Sequence, residues 1–208
     1  MEQTVVSSRE IKQAVAAYPI HPLLQERWSP RAFAGTPVEQ AKLLSILEAA
    51  RWAPSGGNAQ PWYFIVATKD NEEEYARLAS CLNPGNGEWA TQAPVLILTV
   101  AQMVTSSGRK NGHAFHDVGL ATQNLAIQAT ALGLHVHPMA GFSADTARTL
   151  YGVPADYEPV TMLAIGYLGD PETLSEQRRQ QELTPRVRRP LDEFVFSGTW
   201  GLTSPIVK

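Results

Sequence analysis

Apolar residues along the chain fall into two kinds of run, and the contrast between them predicts the elements. After "GTPVEQ", Leu43, Leu44, Ile46, Leu47 and Ala50 recur at helical spacing against polar Lys42, Ser45, Glu48 and Arg51, which predicts a helix. Thr36 is placed to cap it, Pro37 suits its first position, Glu39 completes a capping box, and Pro54 ends it. The stretches "WYFIVAT" (62–68), "APVLILTVA" (93–101) and "EPVTMLAIGYLG" (158–169) are instead continuous aromatic and β-branched runs, as buried strands require. "LHVHP" is a candidate short strand. "NEEEYARLASCL" and "SADTARTLYG" predict helices, the second with Ser143 as its cap and Gly152 past its end.

A further helix is predicted from Ala114 to Leu132, ended by Gly133, and residues 118–134 carry no charge. Thr122, Gln123, Asn124, Gln128 and Thr130 make this stretch too polar for lipid. A charge-free helix in a water-soluble fold is buried on most sides. It is therefore a central helix, and a second copy of the chain is one candidate neighbour. Past Pro171 the chain is polar and closes on an aromatic "EFVFSGTWG", read as an extended strand or arm lying on something else. The elements do not alternate strictly as βαβαβ, so the expected class is α+β, a sheet with helices on both faces, in one domain over 1–208.

Charge and composition then remove several function classes. The net charge of −3 argues against a nucleic-acid partner. A single cysteine, Cys81, excludes an intramolecular disulfide and fits a reducing compartment. The opening "MEQTVVSSREIKQ" lacks a basic region followed by an apolar one, so no secretory signal and no membrane partner are expected, and the cytoplasm is the expected location.

Against that acidic balance, two arginine clusters stand about 150 residues apart: "RWSPRAF" (27–33) and "PRVRRP" (185–190). Such clusters are either solvated surface charge or, with an interleaved hydroxyl, side-chain ligands for a phosphate dianion. The loop "APSGGNAQPW" (53–62) is either a well-capped turn or a place where backbone approaches a ligand while Asn and Gln meet a heteroaromatic edge. "GNGEWA" (85–90) spells a dinucleotide fingerprint but follows a helix and a proline where a strand is required, so it is rejected. The pairs His113/His116 and His135/His137 lack completing ligands, so no metal site is expected. There is no G-x-S-x-G elbow, and Cys81 has no histidine close in sequence. With no convincing catalytic side chain, a cofactor must carry any chemistry.

"RWSPRAF", "APSGGNAQPWYFIV", "HPMAGF" and "PRVRRPLDEFV", in this order, resemble the flavin-dependent nitroreductase family across nearly the whole chain. The resemblance implies a three-layer sandwich with a mostly antiparallel central sheet, in a homodimer that exchanges a C-terminal arm (about 185–208). It implies FMN as cofactor, with both arginine clusters meeting at one phosphate: Arg27, Trp28, Ser29 and Arg31 from the first, Arg186 and Arg188 from the second. Pro54, Ser55, Gly56, Asn58 and Gln60 match the loop that reaches the flavin from the partner subunit. Pro138 and Met139 match the segment against one flavin face, Ala140 and Gly141 the backbone donors at N5, and Asn86 an amide at the pyrimidine edge. No side chain is assigned as catalytic. Two positions depart from well-studied enteric members, which carry glutamate at Ala140 and a lysine at Trp89. The polar stretch 102–112 lies where family members vary and is expected to shape substrate access. The implied activity is hydride transfer from NAD(P)H through FMN to a nitroaromatic, quinone or enal-type acceptor by ping-pong kinetics. The alternatives are a flavin store or sensor without turnover, or the dehalogenation and flavin-cleavage chemistry that related sequences perform.

Overall fold

Four antiparallel strands make one sheet, in the order β1–β2–β4–β3. They are β1 (Trp62–Thr68), β2 (Val95–Gln102), β3 (His135–Met139) and β4 (Tyr157–Gly166). Around them lie α1 (Ser8–Ile11), α2 (Pro22–Glu26), α3 (Gln40–Arg51), α4 (Glu72–Ala79), α5 (Pro84–Ala90), α6 (Ala114–Ala131), α7 (Ala144–Tyr151) and α8 (Glu176–Leu183). The computed structural model describes residues 8–105 and 107–207. Residues 1–7 of the stretch read for a secretory signal lie outside these, as do Ser106 of the 102–112 stretch and Lys208 of the arm.

The inner strand β2 is buried on both faces from Val95 to Ala101, which explains its nearly unbroken apolar run. Side-chain alternation sends Leu96 and Leu98 into one core with Tyr75, Leu78, Trp89 and Ala147, and Val95 and Ile97 into another with Ile46, Ala50, Ala121 and Leu125. The fold is thus three layers: α4, α5 and α7 on one face, the sheet, and α3 and α6 on the other. The expected α+β sandwich is the architecture present.

Within α6, Thr122 and Thr130 donate back to the carbonyls of Val118 and Ala126. Asn124 donates to the Ala49 carbonyl and Gln128 to Ser45 Oγ, so the amides tie α6 to α3. These bonds are why a helix so short of charge can be mostly buried. Its remaining face, with Phe115, His116, Gly119 and Gln123, is exposed.

Two expectations need correction. The predicted capping box does not form: α3 starts three residues later than Pro37, at Gln40, and Glu39 is its cap position without a side-chain cap bond. The chain before it is held strand-like, with Ala34 N–H on the Tyr167 carbonyl (2.9 Å), while the Glu39 carboxylate accepts from Tyr167 Oη (2.5 Å). The aromatic tail is not an extended strand either. Gly198 (φ 79°) and Gly201 (φ 85°) fold it back, so that Phe196 bridges Thr203 and packs edge-on against Trp200.

Candidate functional site

The backbone of residues 25–34 is gripped from four directions, with Trp28, Ala32 and Phe33 buried and Arg27, Ser29 and Arg31 part-exposed. The Arg186 guanidinium donates to the carbonyls of Lys12 (2.5 Å), Gln25 (2.6 Å) and Arg27 (2.7 Å). His137 Nδ1 donates to the Pro30 carbonyl (2.7 Å). The carboxylate of Glu182 accepts from Arg31 N–H (3.0 Å) and Ala32 N–H (3.1 Å). Gly169 N–H bonds the Ala32 carbonyl (2.9 Å). Each is a backbone polar group satisfied away from water.

The two arginine clusters do come together. Burial and then the Arg188 charge lower the pKa of Arg27, and burial and then the Arg27 and Arg188 charges lower that of Arg186. Lys12 and Arg31 are lowered too, first by burial; Glu182 opposes this, and further cations add to the lowering. Only Lys12 and Arg31 are offset by the buried Glu182 carboxylate, while Arg27, Arg186 and Arg188 act on one another, a surplus of positive charge that favours an anion. Three buried polar atoms here, Trp28 Nε1, Arg31 Nε and His135 Nδ1, have no protein partner among the described residues. Unused donors beside surplus positive charge fit a phosphate and its polyol.

Individual roles differ from the sequence expectation in places. Arg186 was expected on the phosphate; its three bonds to carbonyls make it a strut that ties the C-terminal segment to the N-terminal one. Arg27 Nη1 donates to Ser29 Oγ (3.4 Å), so these two side chains stay together. The Arg31 guanidinium lies 5.8 Å from the centre of the Trp89 ring. Trp89 is buried, stacked on Phe33 and tilted against His137. Pro138 and Ala140 are exposed, but the Met139 side chain is buried in the core below the sheet, which leaves only its backbone for a ligand. Asn86 Nδ2 donates to the Gly141 carbonyl (3.0 Å), and a Cβ at 141 would sit 2.5 Å from that nitrogen. Asn86 therefore shapes the turn after β3, and a side chain at 141 would displace its amide.

The loop 54–60 is elsewhere. Gly56 N–H donates to Asp117 Oδ2 (3.1 Å) on the first turn of α6, and Asp117 Oδ1 meets His116 Nδ1 (3.1 Å). Ser55 Oγ accepts from Gln60 N–H, closing the loop on itself. Gly57, Asn58 and Gln60 all have positive φ (57°, 56° and 47°), a costly conformation for the last two. Trp28, by contrast, packs edge-on against His135, four residues past the end of α6. An 18-residue helix is about 27 Å long. The loop also leads into β1 and His135 opens β3, at opposite edges of the sheet and three strand spacings, about 14 Å, apart. One chain does not unite its own two sets of candidate residues.

Burial keeps the two histidines neutral: His137 and His135 are both pushed down to about 4, mainly by desolvation and then by nearby arginines. Sequence reading weighed them as metal ligands and favoured ordinary hydrogen-bonded histidines; among the described residues no group of three such ligands gathers. Lys12, Arg178 and Glu182 were not singled out at all. Glu182 lies in α8, a polar helix whose sequence gives no apolar stripe, so nothing distinguished it from Glu176. No helix among the described residues is long and apolar enough to cross a membrane.

The family model described as the Nitroreductase family matches residues 24–167. A solved "oxidoreductase containing FMN" superposes with a TM-score of 0.86 at 35% identity, covering 95% of this chain and all of that one. A Streptomyces coelicolor protein, provisionally named NADH dehydrogenase/NAD(P)H nitroreductase, is 27% identical over 179 residues, 71% of this chain and 82% of its own. The 5,6-dimethylbenzimidazole synthase of Rhodospirillum rubrum is 25% identical over 187 residues, 76% of this chain and 85% of its own.

Proposed function

Because this chain belongs to the nitroreductase family, we propose that it is an FMN-dependent oxidoreductase that takes hydride from NAD(P)H and reduces a nitroaromatic, quinone or enal-type acceptor. When bound, the flavin would supply the hydride-transfer chemistry; the protein's task is to hold, orient and shield it. Arg27 and Arg188 would hold the phosphate by charge-assisted hydrogen bonds, with Ser29 and Trp28 Nε1 beside them. The turn at Ala140 and Gly141, shaped by Asn86, would offer backbone donors, and Pro138 would cover one side of the ring. With a single open side, donor and acceptor would occupy the same place in turn.

The observation that carries this reading is the separation of the two half-sites along α6. If the exposed, uncharged face of α6 packs antiparallel on a second copy, two-fold symmetry sets the loop at the start of one helix beside the arginine stretch at the end of the other. Residues Ser55, Gly56, Asn58 and Gln60 would then reach the partner's flavin. Phe115 and Gly119 lie on that face, and covering them removes apolar surface from water. The homodimer, with residues 185–208 as its arm and the cytoplasm as its location, belongs to this proposal.

The test is one absorbance spectrum of the purified protein before and after NADPH, followed by initial rates against NADPH at several fixed quinone concentrations. A flavin spectrum bleached by NADPH and parallel double-reciprocal lines are expected. A colourless protein would remove the cofactor, a coloured one that NADPH leaves unbleached would indicate a store or sensor, and intersecting lines would remove the shared side.

A further inference from the structure

We propose that Glu182 is a positioning residue that sets the arginine stretch for the phosphate, so that the chain distinguishes a phosphorylated flavin from its dephosphorylated form through a side chain that never touches the ligand. This rests on the reading of the arginine clusters as the FMN phosphate site.

Glu182 is a fully buried carboxylate that bonds the backbone of residues 31 and 32 and feels the charges of Arg31 and Lys12. Both of its oxygens accept from Arg31 N–H at 3.0 Å, and one also accepts from Ala32 N–H at 3.1 Å. Two successive backbone N–H groups aimed at one anion form a nest, and here the protein fills that nest with its own carboxylate. The Arg31 side chain leaves from the same residue, so its direction is fixed by where Glu182 stands.

Glu182 is itself fixed by its helix. Lys12 Nζ donates to the carbonyls of Gln181 (2.8 Å) and Thr184 (2.5 Å) at the end of α8. One turn earlier on the same face, Arg178 donates to the Gly85 carbonyl (2.9 Å) and lies 3.6 Å from the Glu88 carboxylate. Residues 178 and 182 are four apart, hence neighbours on one side of the helix. α8 therefore links the arginine stretch to α5, the helix that carries Asn86. Burial raises the Glu182 pKa, while the Arg31 and Ala32 N–H groups and then the Arg31 and Lys12 charges oppose that rise.

Two effects of removing the carboxylate have opposite signs. Loss of a negative charge beside a phosphate would by itself tighten binding. Loss of the anchor would leave two buried N–H groups unsatisfied and free residues 29–32 to shift. The anchor dominates, because charge-assisted bonding to a phosphate depends on placement within a few tenths of an ångström.

The experiment measures dissociation constants of FMN and of riboflavin, which lacks only the phosphate, for the full-length chain and for Glu182→Ala and Glu182→Gln. The wild type should prefer FMN strongly. The preference should fall roughly tenfold in Glu182→Ala, about the value of one charge-assisted hydrogen bond. In Glu182→Gln, which retains one acceptor oxygen, it should fall by less, about threefold, and this variant decides the matter if the alanine variant does not fold. Riboflavin affinity should stay nearly constant. A preference that is unchanged because both affinities fall together would mean a merely structural role, and a raised preference would mean that charge outweighs placement; either overturns the proposal. A wild type with no preference would instead overturn the phosphate reading itself.

Discussion

The arginine stretch 27–33 and the loop 54–60 are both short, irregular and rich in polar residues, yet they are built in opposite ways. The first has its backbone clamped by Arg186, His137 and Glu182, while Trp28 Nε1 and Arg31 Nε stay without a partner among the described residues. The second is exposed, closes on its own side chains and stores backbone strain at Asn58 and Gln60. A dianion is held by fixed donors whose cost is met on folding, and a rigid clamp supplies that. A loop that must settle against another surface gains from being anchored at one point, Gly56 on Asp117, with the rest adjustable. The contrast teaches that candidate residues sort by how their backbone is held more than by their chemistry.

That contrast can be broken first with acid. His135 and His137 ordinarily titrate near 6.5 but sit near 4 when folded. The unfolded chain therefore binds more protons between those values, and stability, fully present above about 6.5, is lost as pH falls toward 4. The effect is on the order of 3 kcal/mol per histidine over that window. Urea melts at pH 7 and pH 5 should show the loss, with a flatter profile in His137→Gln. A pH-independent wild type would mean that these rings are not held neutral.

Next comes the strut. Arg186→Ala leaves three carbonyls without their donor and should cost about 3 kcal/mol of stability by chemical denaturation, a few times the net value of one hydrogen bond. Arg188→Ala, on an exposed side chain, should leave stability nearly unchanged yet weaken FMN about 10- to 100-fold in equilibrium titration, as should Arg27→Ala. Arg189→Ala should do much less, and equal effects at 27, 188 and 189 would mean a diffuse basic surface. The smallest effect belongs to the loop. Gln60→Gly relieves a positive φ and should raise the melting temperature by a degree or two, worth about 1 kcal/mol at most. A clear drop would mean that the Gln60 side chain carries more than its bond to Asn58.

Much of the fold could be read from the chain. Strand β1 falls on the run read for it, β2 and β4 within a few residues of theirs, and the ends of α6 and α7 follow from Gly133 and Gly152. A local signal failed where a tertiary contact overrode it, since Tyr167 takes the Glu39 carboxylate ahead of α3; in the tail a local signal was passed over, since two glycines inside the aromatic stretch turn it. For the site, types and neighbourhoods were legible, but divisions of labour were not. Nothing in "PRVRRP" separates the arginine that becomes a strut from the one left open. Glu182 carries no mark in its own helix, since its burial depends on residues 150 positions away.

The central claim is that each site draws its arginine stretch from one chain and its loop from another. Two inactive variants test it directly: Arg27→Ala/Arg188→Ala, which breaks the arginine half, and Gly56→Pro/Asn58→Asp, which removes the loop's anchoring N–H and changes its amide. Each alone should bind little FMN. Co-expressed with different tags and purified as the mixed species, they should recover close to one FMN per two chains, because one of the two sites then receives both intact halves. Recovery of none, with the mixed species verified as a dimer, would place both halves in the same chain and contradict the account.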